Sequence, residues 1–513
     1  MKTNGGGLRR PNVCFILTDQ ERHRGWLPDD VDLPARRRLL EGGMEFNRHY
    51  THTSPCSPSR ATLVTGEYMP AHGIKENTRG PANGWLDTGV DTLGKMLRRA
   101  GYDTGYKGKW HLSMGPYPDM ESYGFGDWEG NDQAFWGQAG SGLEFDEPIA
   151  ASAAQWIRER AGSRQPWFLF VGLVNPHDVM WFPIDQPWYQ EANPEHYGRV
   201  RDRYEALGWG RADSLPPFTL DYPERFDELP ANFDDDLHTK PDVHRRFVHE
   251  MSRNGGYLDR AEVGHWLRQL DYYVKLHELS DVSVGLILDA IDATGAAGDT
   301  VVIFTSDHGD QCGSHALRSK GPWNYEETMH IPLYVTVPGL TGAGTRTEAL
   351  TSHVDLTATV AELAGVDLSE AGLPGRSLVP LLADPAGDGR NEILFAQDWA
   401  WYDGLLETRY ASRGVFDGRF KYCRYYGIGG SSTTSARPPA GPKLFDIDAD
   451  FDDQEHELYD LQEDPHELVN LAVDRGRRQE IRAWFDRLLA TEAEAFADEP
   501  GSRPAGAPPW AEG

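Results

Sequence analysis

The segment Asn12–Asp19, with the sequence NVCFILTD, is a continuous apolar run that ends in a carboxylate. Similar runs recur along the chain: PWFLFVGLVNPH at 166–177, DTVVIFTSDH at 299–308, PLYVTVPG at 332–339 and, more weakly, YDTGYKGKWH at 102–111. Continuous β-branched and aromatic runs of this length are typical of strands buried on both faces of a parallel sheet. Helical patterns lie between them, so the sequence predicts a doubly wound, mostly parallel α/β sheet sandwiched by helices.

A change of character near residue 388 predicts a second, smaller domain. The stretch RYASRGVFDGRFKYCRYYG contains an Asp-Gly hairpin turn, and a helical pattern follows at about 477–496. A segment rich in Pro, Gly and Ala closes the chain. We expect a catalytic α/β domain at 8–388, a small antiparallel-sheet domain with one helix at 389–500, and an extended tail at 501–513.

Composition and charge exclude several classes of partner. The 513 residues carry 50 Lys and Arg against 80 Asp and Glu, a formal net charge of -30, which repels nucleic acid and anionic membrane surfaces. No apolar run approaches the ~18 residues that span a bilayer, and the start shows no signal-peptide pattern. The four cysteines are scattered, which fits neither a disulfide framework nor a zinc site. We therefore expect a cytoplasmic protein.

Polar residues follow the predicted strands at the points where the strands end. They are Asp19 and Gln20, Lys109 and His111, His177, and Asp307 and His308. Taken singly, each is ordinary, since a strand-ending Asp often caps a helix and a lone His is often a core residue. In open α/β sheets, however, ligands bind at the carboxyl ends of the strands. Their coincidence at one edge predicts a functional site there.

Several motifs carry a resemblance to a known family. The segment CSPSR at 56–60 matches the C-x-P-S-R signature of the type I sulfatases, within the alkaline-phosphatase-like superfamily. In the same order follow GKWHL at 108–112, SDHGD at 306–310, SKGPWNYEETMHIPLYV at 319–335 and ELYDLQEDPHELVNLA at 457–472. The resemblance covers nearly the whole chain, and it implies a hydrolase that cleaves sulfate monoesters.

The resemblance implies an unusual fate for Cys56. In the family this cysteine is oxidised by a formylglycine-generating enzyme to Cα-formylglycine (3-oxoalanine), an aldehyde whose hydrate carries two hydroxyls. One hydroxyl, bound to a metal, attacks sulfur, and the second expels sulfate, which regenerates the aldehyde. Asp19, Asp307, His308 and an oxygen on residue 56 are the implied metal ligands. Oxygen donors with one imidazole suit a hard divalent cation, Ca²⁺ first, with Mg²⁺ or Mn²⁺ as alternatives.

The metal motifs depart from those of many family members, which carry two acidic residues at 19–20 and often Asn at 308. The Asp-Gln and Asp-His pairs of this chain resemble the choline-sulfatase and phosphonate monoester hydrolase branch. Gln20 is therefore an additional candidate ligand rather than an assigned one. Asn77 lies where that branch places an asparagine that contacts the substrate.

The remaining roles are carried over from the family. Arg60 orients the nucleophile, and Lys109 and Lys320 bind the sulfate oxygens and the leaving group. His177 is the implied general acid, and His111 takes a proton when sulfate is expelled. Independently of the family, such chemistry requires an acid and a base with pKa values near neutrality, which histidine supplies.

Several alternatives stay open at this point. The ester is an aryl, alkyl, choline or sugar sulfate, and aromatic segments at 125–136 and 180–189 favour an apolar pocket, an ammonium cage or simple packing. A phosphonate monoester or phosphodiester hydrolase with the same aldehyde is one alternative function, although the Lys109-x-His111 pair resembles sulfatases. A non-catalytic metal- or anion-binding protein that keeps the Cys56 thiol is the other. A homo-oligomer is compatible with the sequence.

Overall fold

The computed structural model describes residues 10–78, 84–184, 186–206, 220–400, 409–427 and 450–496. The tail expected at 501–513 lies outside the described residues. Within them, no helix is long and apolar enough to cross a membrane.

Thirteen strands are present in the described residues. In chain order they are β1 (Asn12–Asp19), β2 (Met44–Phe46), β3 (His49–Tyr50), β4 (Asp103–Gly108), β5 (Trp167–Pro176), β6 (Thr300–Ser306), β7 (Leu333–Thr336), β8 (Thr345–Thr347), β9 (Thr351–Ser352), β10 (Ile393–Ala400), β11 (Arg409–Phe416), β12 (Phe420–Gly427) and β13 (Glu455–Asp460). They form a seven-stranded sheet, a four-stranded sheet and a two-stranded ladder.

The α-helices of the described residues alternate with the strands in the first part of the chain. They are α1 (Pro34–Gly42), α2 (Cys56–Thr65), α3 (Met69–His72), α4 (Leu93–Arg99), α5 (Asp132–Phe135), α6 (Ser141–Glu159), α7 (Pro187–Ala192), α8 (Pro194–Ala206), α9 (Asp242–Gly255), α10 (Val263–Ala293), α11 (Glu326–Met329), α12 (Val354–Leu363), α13 (Leu368–Ala371), α14 (Val379–Ala383) and α15 (Arg478–Ala495).

The large sheet has the strand order β4-β5-β1-β6-β7-β2-β8. Its central strands are parallel: Val13 of β1 pairs with Phe168 of β5 on one side and with Val301 of β6 on the other. Two predominantly apolar layers cover its two faces. On one face Phe15 and Phe170 stack with ring centroids 4.6 Å apart, and on the other Ile16 lies in a cluster with residues of α6 and α10. The predicted parallel sheet with both faces covered is confirmed.

One strand runs against the predicted direction. The apolar run at 332–339 forms β7, which pairs antiparallel with β6, and β2 in turn pairs antiparallel with β7. A parallel neighbour requires a crossover, usually a helix that packs on the sheet face. The connection from β6 to β7 contains only the four-residue α11 and a 3-10 turn at Ser314–Ala316, so the chain turns back beside β6. This loop carries Lys320.

The C-terminal part forms the predicted small antiparallel sheet, in the order β10-β11-β12-β13, with α15 packed on it. The Asp-Gly pair at 417–418 makes the tight turn that joins β11 to β12. Phe485 and Leu488 of α15 are buried in one cluster with Tyr422 and Leu458 of the sheet. The expected boundary at 388–389 lies between α14 and β10 and stays a prediction.

Candidate functional site

Two strand ends and one helix start converge at the carboxyl edge of the large sheet. Asp19 ends β1, Asp307 and His308 follow β6, and Cys56 is the first residue of α2. One ligand atom from each lies within 4.8 Å of the ligand atoms of the other three, and all four residues are buried. The Cys56 Sγ atom lies 3.6 Å from Asp19 Oδ1 and 3.3 Å from His308 Nε2. The four residues predicted to surround a metal therefore form one cluster.

Arg60 connects the two carboxylates of this cluster. Its Nε donates to Asp307 Oδ2 and its Nη2 donates to Asp19 Oδ2, both at 2.9 Å. Its Nη1 donates to the backbone carbonyl of Lys109, also at 2.9 Å. Because Arg60 lies one helical turn after Cys56 on α2, its guanidinium fixes the start of that helix against β1 and β6. The expected role of Arg60 in orienting residue 56 fits these contacts.

Two lysines bring further positive charge to the cluster. The Lys109 ammonium forms a 2.6 Å ion pair with Asp19 Oδ2, and it donates to the carbonyl of Trp136 at 3.0 Å. The Lys320 ammonium donates to Gln20 Oε1 and reaches the sulfur of Met180 at 3.8 Å. Both lysines are buried. With Arg60, three buried cationic side chains therefore lie at this edge of the sheet.

Gln20 lies between Lys320 and a further carboxylate. Its amide nitrogen donates to Asp310, while its backbone N–H donates to Asp307 Oδ1 at 3.1 Å. Gln20 adopts a positive φ of 70°, a conformation that is uncommon for a non-glycine residue. Its side chain thus joins Lys320 to Asp310, and the structure gives it no direct contact to the carboxylate oxygens of Asp19.

The surrounding charges set the ionisation of the cluster. Burial alone would raise the pKa of Asp19, but the charges of Lys109 and Arg60 outweigh it and hold that pKa well below its usual range. Burial and the neighbouring Asp19 carboxylate raise the pKa of Asp307. The pKa of the Cys56 thiol is lowered, because nearby cations outweigh both its burial and the Asp19 charge. Two adjacent buried carboxylates are an arrangement that a divalent cation stabilises.

The two histidines expected to transfer protons are both buried beside the cluster. His177 Nε2 lies 4.0 Å from Asp19 Oδ1, whereas its Nδ1 has no hydrogen-bond partner among the described residues. Burial and the charges of Lys320 and Lys109 lower the pKa of His177 well below its usual value. A Cβ atom on Gly137 would lie 2.4 Å from this ring, so only glycine allows the chain to pass here.

His111 occupies a strained position that its neighbours maintain. Its φ is 60°, and its ring stacks on Trp136 with centroids 5.2 Å apart. Its carbonyl accepts hydrogen bonds from Ser57 Oγ at 2.6 Å and Thr78 Oγ1 at 2.8 Å. These contacts tie the GKWH loop to the first turn of α2.

Asn77 contacts the start of α2, one residue after Cys56. Its Oδ1 accepts the backbone N–H of Ser57 at 3.0 Å. It thereby caps one of the N–H groups that a helix start leaves unpaired. A contact of Asn77 with substrate stays a prediction.

The sequence analysis missed Asp132, which organises the GKWH loop. Its buried carboxylate accepts the backbone N–H groups of Trp110 at 2.8 Å and His111 at 3.0 Å, and the indole N–H of Trp136 at 3.2 Å. Burial raises the pKa of Asp132 to about 6. Trp136 in turn contacts both Lys109 and His111. The only local signal was the Asn-Asp pair before a short helix, which is typical of a helix cap.

Two family models match this chain. The model described as "Sulfatase" matches residues 11–366, which include the whole cluster and its surrounding loops. The model described as "N-sulphoglucosamine sulphohydrolase, C-terminal" matches residues 313–431.

Relatives in sequence and structure extend over nearly the full length. The chain is 27% identical to PehA of Trinickia caryophylli, a "multifunctional alkaline phosphatase superfamily protein". The alignment covers 94% of this chain and 95% of that protein. It is 25% identical to a choline-sulfatase of Rhizobium meliloti, over 95% of this chain and 88% of that enzyme. A phosphonate monoester hydrolase from Silicibacter pomeroyi has a similar structure, with a TM-score of 0.66 at 20% identity, over 96% of this chain and 97% of that one.

Proposed function

Because the chain belongs to the sulfatase family of the alkaline phosphatase-like superfamily, we propose that it cleaves a sulfate monoester with a nucleophile derived from Cys56. The observation that carries this proposal is the position of Cys56, buried between Asp19 and His308 at the start of α2. An ordinary structural cysteine lies among apolar neighbours. This one lies among carboxylate, imidazole and ammonium groups.

The proposed nucleophile is a hydroxyl of the formylglycine hydrate, since a thiol is not suited to release sulfate again. The conversion replaces the Cys56 thiol by an aldehyde and requires a formylglycine-generating enzyme as a maturation partner. The hydrate presents two hydroxyls on one carbon, so that one forms the sulfate ester and the other permits its breakdown. Arg60 positions residue 56 through Asp19 and Asp307.

Asp19, Asp307, His308 and residue 56 would hold one divalent cation. Their donor set fits such a cation, because two carboxylates and one imidazole converge within a buried space of suitable size. Calcium is the proposed ion, with Mg²⁺ and Mn²⁺ as alternatives. When bound, the ion supplies a Lewis acid that favours the ionised form of the attacking hydroxyl.

The lysines and histidines of the site divide the remaining work. Lys109 and Lys320 provide fixed positive charge for the sulfate oxygens and for the charge that develops on the leaving oxygen. His177 is proposed to protonate that oxygen, and His111 to accept a proton as sulfate is expelled. Without substrate, the pKa of His177 is low, so that its protonated form is a strong acid. A bound sulfate ester adds a negative charge nearby, which favours protonation of His177.

The finer assignments are also proposals. We propose an aryl or alkyl sulfate as the substrate, with Asn77 at the edge of the substrate site. The four cysteines of the chain are all free and buried, which fits a reducing cytoplasm.

A phosphonate monoester or phosphodiester hydrolase is the second candidate function. It is favoured by the similarity in fold to the phosphonate monoester hydrolase of Silicibacter pomeroyi. Both activities would use the same cluster, so the comparison of a sulfate monoester with a phosphonate monoester separates them.

The decisive experiment is the mass of the peptide that contains residue 56, measured beside sulfate release by the same preparation. Conversion of the thiol to the aldehyde, in proportion to activity, is the expected result. A fully active preparation in which residue 56 is still a thiol would exclude the proposed nucleophile. If residue 56 stays a thiol in protein produced together with a formylglycine-generating enzyme, and that protein binds metal without turnover, the non-catalytic alternative is favoured.

A further inference from the structure

Strand β10 of the C-terminal sheet runs beside the segment that leads into Cys56. The backbone N–H of Ala396 in this strand donates to the carbonyl of His52 at 3.0 Å. Ser54 follows two residues later, and its hydroxyl donates to Gln397 Oε1 at 3.2 Å. The side chains of His52, Ser54 and Gln397 are all buried. The C-terminal sheet therefore holds the chain on its approach to Cys56.

The amide nitrogen of Gln397 contacts the loop that carries Lys320. It donates to the Trp323 carbonyl at 2.6 Å and to Asn324 Oδ1 at 3.0 Å. Since the Trp323 carbonyl can only accept, the amide nitrogen has to face this loop and the amide oxygen has to face Ser54. One buried side chain thus joins the segment before the proposed nucleophile to the loop of a proposed catalytic lysine.

The loop between Lys320 and Trp323 is tightly packed. A Cβ atom on Gly321 would lie 2.1 Å from the Trp323 indole, so the backbone of the loop lies against that ring. Trp323 is fully buried, and its Nε1 donates to Thr328 Oγ1 at 3.0 Å. A displacement of the Trp323 backbone would therefore be passed on to Lys320, three residues before it.

Lys421 of β12 contacts the same loop at a different atom. Its Nζ donates to the backbone carbonyl of Asn324 at 2.9 Å. The hydrogen bonds of Gln397 to Ser54 and Trp323 do not involve this carbonyl. Loss of Lys421 would therefore leave both ends of the Gln397 link in place.

We propose that Gln397 is a positioning residue of the site, which fixes residue 56 and Lys320 relative to each other. This inference rests on the proposed function, because it takes both residues to act on the same sulfate ester. The planar amide of Gln397 offers an acceptor at one edge and a donor at the other, so it holds the two segments at a fixed separation. A misplacement of about 1 Å between reacting groups can cost about 10²-fold in rate.

Gln397→Met tests the positioning role, because it keeps the length of the side chain and removes both hydrogen-bonding groups. We expect kcat for 4-nitrophenyl sulfate to fall about 10–100-fold, with a smaller change in KM. Each variant is produced together with a formylglycine-generating enzyme, and kcat is divided by the fraction of folded protein in which residue 56 is converted. Unchanged kcat in folded, converted Gln397→Met would overturn the proposal.

Asn470→Leu is the matched control, because it also removes a buried amide that holds the C-terminal sheet. Asn470 Nδ2 donates to the carbonyls of Thr239 at 2.7 Å and His456 at 3.0 Å, and neither residue belongs to the two linked segments. We expect kcat of the folded control to stay near that of the unchanged protein. An equal fall of kcat in Asn470→Leu and Gln397→Met would assign the loss to general destabilisation and refute the positioning role.

Ser54→Ala removes a single hydroxyl, and it decides the question if Gln397→Met does not fold. It breaks one end of the link, so kcat should fall about fivefold, the equivalent of one ordinary hydrogen bond. Once Gln397 is replaced, Ser54 has no link to lose, so Ser54→Ala combined with Gln397→Met should be no slower than Gln397→Met. Unchanged kcat in Ser54→Ala, or losses that multiply in the double variant, would contradict the link.

Hydrogen exchange of backbone amides, followed by mass spectrometry, tests the link without turnover. In Gln397→Met, exchange should become faster in the peptides that cover 52–60 and 319–325, whereas Asn470→Leu should leave both unchanged. Unchanged exchange in both peptides of Gln397→Met would overturn the proposal.

The two proposals fail in different ways. No sulfate release by converted protein of the unchanged sequence would refute the proposed function, and the positioning role with it. Sulfate release by that protein, together with unchanged turnover in Gln397→Met, would refute the positioning role alone.

Discussion

Two buried groups of charged residues in this molecule can be compared directly. One is the cluster at the carboxyl ends of β1 and β6, and the other lies where the C-terminal sheet meets the loop that follows β6. In the second group, Lys421 of β12 lies 2.7 Å from Glu326 Oε1 and 3.0 Å from Glu467 Oε1. Burial raises the pKa of Glu467 to about 8, so that at neutral pH this glutamate keeps its proton and Lys421 neutralises Glu326.

The cluster at the carboxyl ends of β1 and β6 is arranged differently. Arg60 and Lys109 contact the carboxylates of Asp19 and Asp307 directly, whereas Lys320 is joined to the buried Asp310 only through the Gln20 side chain, and both Gln20 and His111 have positive φ angles. The interface group is neutral, and its partners are supplied by the protein itself. The difference teaches that a buried ionic group becomes a candidate site when its charge and hydrogen bonding call for a ligand, since burial alone also occurs where domains join.

The largest expected effect separates chemistry from stability. Cys56→Ala removes the attacking group, so kcat should fall on the order of 10⁵-fold or more. The free energy of unfolding should change by only about 1 kcal/mol, because only the terminal polar group of one small side chain is deleted. Sulfate release and urea unfolding measure the two quantities. The matched control is Cys423→Ala in the C-terminal sheet, which should leave kcat unchanged. Normal turnover in Cys56→Ala would contradict the mechanism.

Removal of the metal should abolish activity while the C-terminal sheet stays folded. Asp307→Asn should weaken metal binding and lower kcat/KM. Loss of a residue that only hydrogen-bonds to a metal ligand typically lowers activity about 10–100-fold, and loss of a ligand itself should lower it further. Elemental analysis after chelation, followed by assay with and without added Ca²⁺, Mg²⁺ or Mn²⁺, is the measurement. Full activity in protein verified to be free of metal would refute the metal site.

The two histidines should differ in their dependence on the leaving group. His177→Ala should slow hydrolysis of alkyl sulfates by about 10²–10⁴-fold and that of nitrophenyl sulfate far less, because a good leaving group needs little protonation. His111→Ala acts after the leaving group departs, so both substrates should slow alike and a sulfated enzyme should accumulate. A series of esters with graded leaving-group pKa values tests this. A flat loss in His177→Ala would show that the assignment is wrong.

The interface group should respond in the opposite way to the catalytic cluster. Lys421→Met leaves a buried carboxylate without its cation, so the free energy of unfolding should fall by about 3–5 kcal/mol. Activity of the protein that remains folded should stay near normal. Arg419→Met is the control, because the ion pair of Arg419 and Asp460 lies at the protein surface and should change the free energy of unfolding little. A large loss of kcat with unchanged stability in Lys421→Met would show that the interface group acts in turnover and not in stability.

The smallest expected effect concerns the carboxylate that positions the GKWH loop. Asp132→Asn places an amide among three N–H donors, so Lys109 and His111 should lose alignment and kcat should fall about tenfold with little change in KM. Asp271→Asn is the control, because that buried carboxylate accepts the backbone N–H groups of Arg225 and Phe226 instead. Equal effects of the two substitutions on kcat would assign Asp132 to stability alone.

The sequence predicted most of what depends on short patterns. Continuous apolar runs identified the central strands, and the polar residues that end them, such as Asp19 and Asp307, do meet at one edge. The direction of β7 was not predictable, because an apolar run looks alike whether its strand is parallel or antiparallel to its neighbour. The direction depends on the connection between the strands. Asp132 was missed because it contacts Trp110 and His111 from about twenty residues away, with no periodic signal.

The complete burial of Cys56 has a consequence for the maturation of the protein. Its exposed fraction is 0%, and it forms the first turn of a helix that Arg60 fixes to two strands. On the proposed mechanism a maturation enzyme has to reach this side chain, and the folded protein leaves none of it exposed. On the proposed mechanism, the order of events therefore decides the yield: oxidation must accompany synthesis. A recombinant host without the maturation enzyme would produce correctly folded protein that later treatment fails to activate.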